Sequence, residues 1–545
     1  MVFDPIKKIG AAVILPLLMV SATAMAEQQA QPAAEKAADA AQPKSPPDKF
    51  DLWELRVKGS SLLDKKELER TVYPFLGPGK TIEQVEAARL ALEKLYQAKG
   101  YQTVVVDIPE QEVKKGVVNL QVVEGKVSRL KVTDSRYFSL GKIKATIPEI
   151  AEGNVPNFKV MQKQLTELAG QSADRKIQPI LRAGETPGTV EVDLKVQDTL
   201  PLHGRVELNG RNTINTTRLR LASTVRYDNL WQKFHSAAFT FQVSPEDNNE
   251  VEVFSGTYVL PWFNTNARVA LYAVSSNSNA QIASAGALNV VGIGSVYGLR
   301  FIQPFSGNGN YYHSLTLGAD YKDFQEDLRL VGADSILTPI AYLPFLVQYA
   351  GNLRGEGYLT SFDAGVYFSV RGLANSETEF ENKRFLARPN FAYLKGNLSF
   401  RHDLPAGWEV ATRFSGQVAD SPLISNEQFS LGGASSVRGY FETQVLADDA
   451  FSGSLEFYTP DFAPEGWDFV NSLQALAFID AATGGIKNAL PGTSQGDTLA
   501  SAGAGLHFRL AKVVSAALDL GFPFISIDPV KSGEPRLHFT FATDF

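Results

Sequence analysis

The feature that most constrains this chain is a two-residue alternation of apolar and polar side chains, which starts near Leu200 and recurs to the last residues. In TRLRLASTVRY, Leu219, Leu221, Val225 and Tyr227 share one face, and Arg218, Arg220, Thr224 and Arg226 share the other. Past a turn region at Asp228-Asn229, Ala237, Phe239, Phe241 and Val243 alternate with Ser236, Thr240, Gln242 and Ser244. The pattern returns at Leu315, Leu317, Ala319 and Tyr321, at Phe362, Val366, Phe368 and Val370, and at Trp408, Val410, Phe414 and Val418. Polar loops such as SPEDNNE and SSNSNAQ separate the runs. A period of two means half-buried strands. Periodicity alone fits a soluble sandwich or propeller as well as a barrel.

The other end of the chain bears on that choice. Lys7 and Lys8 precede an apolar run from Ile9 to Val20, and small residues follow, ending Ala24-Met25-Ala26. This order reads as a secretory signal peptide, residues 1–26, cleaved before Glu27. A membrane-spanning helix needs ~20 apolar residues, and the run is shorter. No other long uncharged apolar stretch occurs, so a membrane form of this protein crosses with strands. Arginines on the polar face suit a water-filled lumen better than a sandwich core. The final strand, RLHFTFATDF, sets Leu537, Phe539, Phe541 and Phe545 on one face. Residues 200–545 are therefore expected to form a transmembrane antiparallel β-barrel, closed so that no edge meets lipid. At about 20 residues per strand plus loop, roughly sixteen strands fit.

Composition removes several function classes. A net charge of -7 with no Lys/Arg run argues against nucleic acid as a partner. With no cysteine, disulfides, thiolate metal sites and a lipid-anchoring lipobox are all excluded. Six scattered histidines without paired helical spacing offer little to zinc. No P-loop stands out, and no nucleophile–base constellation, so neither a cofactor nor an enzyme activity is expected.

Between signal peptide and strands the pattern is mixed. Residues 27–49 are rich in Ala, Gln, Glu and Pro and read as a flexible linker. WELRV (Trp53 to Val57) alternates as a strand, and DKKELERTVYPFLG reads as a short helix. Thr81 caps a longer helix with Gln84 completing a capping box, Ile82, Val85, Leu92, Leu95 and Tyr96 form its stripe, and Gly100 stops it. Strands at 101–108 and 117–123 close a first small α+β domain, residues 50–125. Strand, helix, strand, strand then recurs at 127–132, 157–169, 177–181 and 189–196, a second domain over residues 126–199. Like element order in unlike sequence resembles tandem POTRA domains, and that resemblance implies periplasmic modules that bind an extended client along a strand edge.

One further stretch carries chemistry. LGGASSVRGYF contains Val437-Arg438-Gly439-Tyr440, and the later LAFIDAATGG sets Phe478 and Asp480 in an apolar strand-like run. Arginine presents a fixed fork of donors that a carboxylate satisfies two at a time. Asp480 shares its alternation face with Gln474 and Phe478, against Leu473, Ala475, Ala477 and Ile479, so it points to the lumen.

Signal peptide, two POTRA-like domains and a barrel of this size resemble the TpsB transporters of two-partner secretion, the haemolysin and haemagglutinin secretion proteins of ShlB/FhaC/HecB type, in the outer membrane of Gram-negative bacteria. Val437-Arg438-Gly439-Tyr440 matches the superfamily's (V/I)RG(F/Y) motif, which the resemblance places on a long loop folding back into the lumen. Phe478-Ile479-Asp480 matches the barrel-wall F-x-D motif that receives the arginine. The family form continues to glycine where Ala482 stands here. PLHGRVELNG, TTRLRL and YDNLW are similar to the family's passage into its first strands.

The resemblance implies a pore that takes a large secreted TpsA-like exoprotein from the POTRA domains and passes it, unfolded, to the cell surface or medium. It implies contact with outer-membrane lipid and insertion by the barrel assembly machinery, with Phe545 as the C-terminal insertion signal. It also implies that residues 27–49 can hold a short helix that plugs the pore. The alternatives are an assembly factor of the same superfamily that inserts other barrels, which usually carries three or more POTRA domains, and a diffusion porin or ligand-gated receptor, of which the first lacks the POTRA pair and the second needs a large folded plug.

Overall fold

In the computed structural model, the structure describes residues 49–545 apart from 215, 264, 278–292, 306, 308, 329–335, 374–375 and 465. The expected signal peptide, and the linker or plug except for Lys49, lie outside the described residues. The described chain divides into two compact units.

The first unit spans 50–134, 143–168 and 177–196 and is built on two small three-stranded sheets. In the earlier sheet Val117–Glu124 lies between Glu54–Lys58, its parallel neighbour, and Val104–Asp107, its antiparallel one. Helix Ile82–Lys99 covers it, burying Val85, Ala88, Leu92 and Tyr96, which recur at three and four residues as one helical face must. Ile82, read as part of that stripe, stands 60% exposed at the first helical position, and Ala88 fills the line instead. Gln84 Oε1 accepts the Thr81 N–H at 2.7 Å. Gly100, at φ 105, closes the other end.

The later sheet has Thr189–Asp198 between Lys126–Thr133 and Arg175–Ala183. Its helix Phe158–Ala169 starts on the earlier domain's helix end. Asn157 Nδ2 donates to the Lys99 carbonyl (3.0 Å), Lys159 Nζ to that of Ala98 (2.7 Å), and the Phe158 N–H to that of Gly100 (2.8 Å). Carbonyls left over at a helix C-terminus thus find partners in the next domain. A helix at Leu140–Thr146 was not expected, because seven residues hold too few apolar positions to show a period.

The second unit comprises Ser135–Lys142, Ala169–Lys176 and Gln197–Phe545. Its strands close into an antiparallel barrel. Seventeen strand segments form the ring, but Ile336–Tyr342 and Pro344–Gly355 both pair with the long strand Tyr311–Leu328. They are one strand interrupted at Leu343, which makes sixteen. Leu202–Asn209 pairs on one side with Arg220–Leu230 and on the other with Arg536–Asp544, joining the two ends of the sheet. The expected fold class is the observed one.

The alternation has its physical cause in this closure. Val225, Phe239, Val366, Phe414, Val418 and Ile479 all point outward and are exposed in the isolated chain, as a lipid-facing surface must be. Arg220, Arg300, Asp320 and Lys322 are buried on the inner side. Arg300 forks onto Asp320 at 2.5 and 2.8 Å, and the Tyr272 hydroxyl donates to the same carboxylate at 2.5 Å. Short turns at 231–234, 404–408 and 511–513 lie at the end holding residues 202 and 544, while 370–391 and 420–448 are long loops at the other. Exposed Trp231, Phe263, Trp467 and Phe469 mark the short-turn end, where an interfacial aromatic belt belongs. The first turn lies later than Asp228-Asn229: the strand bulges at Asn229, runs on to Leu230, and turns at 231–234. No described helix is long and apolar enough to cross a membrane.

Candidate functional site

The loop between strands Glu409–Ala419 and Asp449–Tyr458 carries a small hairpin, Phe429–Leu431 paired with Val445–Ala447. Between its arms lies Val437-Arg438-Gly439-Tyr440. The strand Val470–Gly485 buries every second residue, so Gln474, Leu476, Phe478, Asp480, Ala482 and Gly484 face inward. That phase aims Asp480 at the loop.

The structure brings Arg438 and Asp480 together. Arg438 Nε donates to Asp480 Oδ2 at 2.7 Å, Nη2 to Oδ1 at 2.8 Å, and the Arg438 backbone N–H to Oδ2 at 3.0 Å. Arg438 is 2% exposed and Asp480 0%. The guanidinium lies over the Phe478 ring, 3.5 Å from its centroid. Both residues of the wall motif therefore touch the same cation, one by charge and one by its π face.

Neighbouring strands complete the socket. Glu456 on Asp449–Tyr458 is 2.9 Å from Arg438 Nη2, Asp519 on Val514–Pro523 is 3.5 Å from Nη1, and Ser454 Oγ accepts at 3.2 Å. His538 on Arg536–Asp544 accepts the Gly439 N–H at 2.9 Å. Glu456 also pairs with Arg413 and Asp519 with His507, so each of the other two carboxylates has a partner besides Arg438. Sequence reading missed Glu456, Asp519 and His538. Their signal was present: each is a titratable side chain on the inward phase of an apolar strand.

Close backbone approach is the second requirement. Gly439 has φ +98, which a side chain rarely adopts. A Cβ built on Gly521 of the wall would sit 2.6 Å from Gly439 N and 2.7 Å from Arg438 C, so backbone rests on backbone there. Val437 and Tyr440 are fully buried with Leu431, Ala482 and Leu499. The Tyr440 hydroxyl donates to the Ile525 carbonyl at 2.8 Å. Ala482, where the family form has glycine, fits this apolar cluster with 4% exposure.

Phe545 lies elsewhere, at the seam. Its N–H donates to the Gly204 carbonyl (2.9 Å), the Gly204 N–H donates back (2.7 Å), and its ring covers Gly204. Arg205 Nη1 reaches Asp544 across the same seam at 2.9 Å.

Among the described residues, one grouping sets metal-type ligand atoms together: Asp174, His203 and Asp228. These atoms are already engaged, His203 with Asp174 at 3.1 Å and Asp228 with Arg226 Nε at 3.0 Å.

Comparison with known proteins follows the same lines. A model of the ShlB-type POTRA domain matches residues 50–125, and one for the haemolysin secretion/activation protein ShlB/FhaC/HecB matches residues 188–508. The chain is 22% identical to the outer membrane transporter CdiB of Dickeya dadantii (strain 3937), over 72% of this chain and 69% of that one. It is 20% identical to the heme/hemopexin transporter protein HuxB of Haemophilus influenzae, over 76% and 74%. Among solved structures, CdiB from Escherichia coli superposes with a TM-score of 0.66 at 18% identity, covering 94% of this chain and 93% of that one.

Proposed function

The chain belongs to the haemolysin secretion/activation protein family ShlB/FhaC/HecB, and from that premise we propose how this outer-membrane transporter of two-partner secretion works. The barrel crosses the outer membrane and the POTRA domains lie in the periplasm. An exoprotein partner, still unfolded, binds in the periplasm along exposed strand edges. Glu54–Lys58, Val104–Asp107, Lys126–Thr133 and Arg175–Ala183 are the edge strands of the two small sheets. Residues 152–154 already bond Val127 and Leu130 of the third, so the other three are the edges that offer main-chain groups to a client without demanding a sequence. The partner then passes through the barrel, and its folding outside the cell draws it out.

The observation that carries this reading is the buried Arg438–Asp480 fork inside a closed sixteen-strand ring. A charge pair held away from water does little net work for stability, yet it fixes geometry and is costly to break from one side. Its role here is to hold the loop 420–448 against the wall in the arrangement that transport uses. Phe545 is the residue that the barrel assembly machinery reads, and lipid contacts the outward apolar face. Residues 27–49 supply a plug in the resting state. Insertion of other barrels is the less favoured reading, since the family match lies with secretion.

The test is co-expression with a candidate partner, a very long exported chain encoded beside this one. Partner outside the cell only when this protein is present is the expected result. Partner trapped in the periplasm beside a correctly inserted barrel overturns the pairing, and fewer folded barrels of other kinds on depletion would argue for assembly.

A further inference from the structure

The loop that carries Arg438 returns to the wall through a second buried carboxylate. Asp448 is 0% exposed, and its oxygens accept from three separate loops. Arg384 forks onto it, Nη1 to Oδ1 at 2.6 Å and Nη2 to Oδ2 at 2.7 Å. The Leu423 N–H (3.0 Å) and Gln428 Nε2 (3.2 Å), from the root of the same long loop, donate to Oδ1. The Lys487 N–H, from the loop 486–495, donates to Oδ2 at 2.7 Å. Arg384 itself also donates to the carbonyls of Leu423 and Lys487. It follows directly on the helix Glu377–Lys383, in the loop after strand Tyr358–Ser369.

All three loops stand at the end of the barrel opposite the short turns. There, Phe380, Ala387 and Phe391 gather with Leu423 and Ile424 against the inward-facing Tyr342. Such an apolar cluster inside a water-filled wall is stable only while the loops stay together, because parting them wets it.

Resting on the transport reading, we propose that Arg384 and Asp448 form an outer clasp, which positions residues 376–391 and the root of the Arg438 loop across the outer mouth. The clasp opens as the exported chain passes, while the Arg438–Asp480 fork stays closed. The two pairs differ in a way that suits this division. Asp480 takes all its loop bonds from one residue, whereas Asp448 keeps the Leu423, Gln428 and Lys487 donors when Arg384 lets go. Opening therefore leaves no buried carboxylate without donors.

The chain has no cysteine, so one introduced thiol reports one place. Ala387→Cys puts a probe of similar size at a position 2% exposed, and a membrane-impermeant maleimide is added to intact cells carrying the full chain. Labelling is expected to be slow in that background and about tenfold faster when Arg384→Met is added, as a shift between two loop populations requires. Arg384→Lys keeps the charge without the fork and should fall between. Ser494→Cys, on an exposed outer loop, measures barrel abundance and dye access, and heat-modifiable gel mobility shows that each barrel is folded. Equal labelling of Ala387→Cys with and without Arg384→Met overturns the clasp, as does fast labelling in the parent, and Arg384→Lys alone decides if Arg384→Met does not fold. Co-expressed partner should speed labelling of Ala387→Cys. Export without any such rise overturns the opening step. Absence of export counts against the transport reading and leaves the thiol test of the clasp intact.

Discussion

Replacing Arg438 with alanine is the sharpest test of the loop's role, because the structure says what would be lost and what would remain. The substitution removes both side-chain donors to Asp480, at 2.7 and 2.8 Å, and leaves a fully buried carboxylate with only the backbone N–H at position 438. Glu456 keeps Arg413, and Asp519 keeps His507, so the stranded charge is Asp480 alone. Breaking one side of a buried pair costs ~3–5 kcal/mol. At about 1.4 kcal/mol per factor of ten, the ratio of docked to undocked loop falls by roughly 10²–10⁴. None of this touches the strand ladders, so the barrel should still insert. Export of the partner into the medium, normalised to folded barrel in the membrane, is the readout. It should fall at least tenfold for Arg438→Ala and less for Arg438→Lys, which keeps the charge but not the fork. Export by Arg438→Ala at the parental rate would refute the assignment.

Three other outcomes follow from the same geometry. Gly521→Ala forces a Cβ to within 2.6 Å of Gly439 N, an overpacking that costs ~1–3 kcal/mol, so the loop should become more open to protease and export should drop, while heat-modifiable mobility stays normal. Deleting residues 27–42 should raise open-channel current in planar bilayers, and unchanged current argues against a plug. Asp198 supplies a pH dependence. Partial burial raises its pKa, but the N–H groups of Tyr137 and Arg136 and the Ser135 hydroxyl outweigh that and hold it below the ordinary carboxylate range. A depressed pKa means stabilisation that is present above about pH 4 and lost as pH falls further. Amide exchange at Arg136 and Tyr137 should accelerate in that acid window, and Asp198→Asn should abolish the change.

Much of the barrel was legible because closure forces a rule that sequence can display: each strand must put apolar atoms into lipid and polar ones inward, residue by residue. Val225, Phe239 and Ile479 obeyed it and are outward. The rule gave Asp480 its direction, and it marked Glu456 and Asp519 too, though a motif-led reading passes over them. Where the chain departs from the rule, the pattern misleads. A bulge at Asn229 delays the first turn, and Leu343 splits a strand without breaking its pairing to Tyr311–Leu328. The contact between Arg384 and Asp448 left no local trace at all. It joins loops 64 residues apart, and only the ring brings them to one place.

The joining of Leu202–Asn209 to Arg536–Asp544 has a consequence for how such a wall is made. Fifteen of the sixteen ladders link strands that follow one another in the chain, and these can form as hairpins in order of synthesis. The last ladder pairs Asn209 with Thr540, so it must wait until nearly every other residue has been placed. Until then the growing sheet has two free margins, each a row of unpaired N–H and C=O groups that lipid cannot satisfy. A half-made wall therefore has no stable home in the bilayer. Its completion is a single late event between distant partners, slow by the same logic that slows any fold built on long-range contacts.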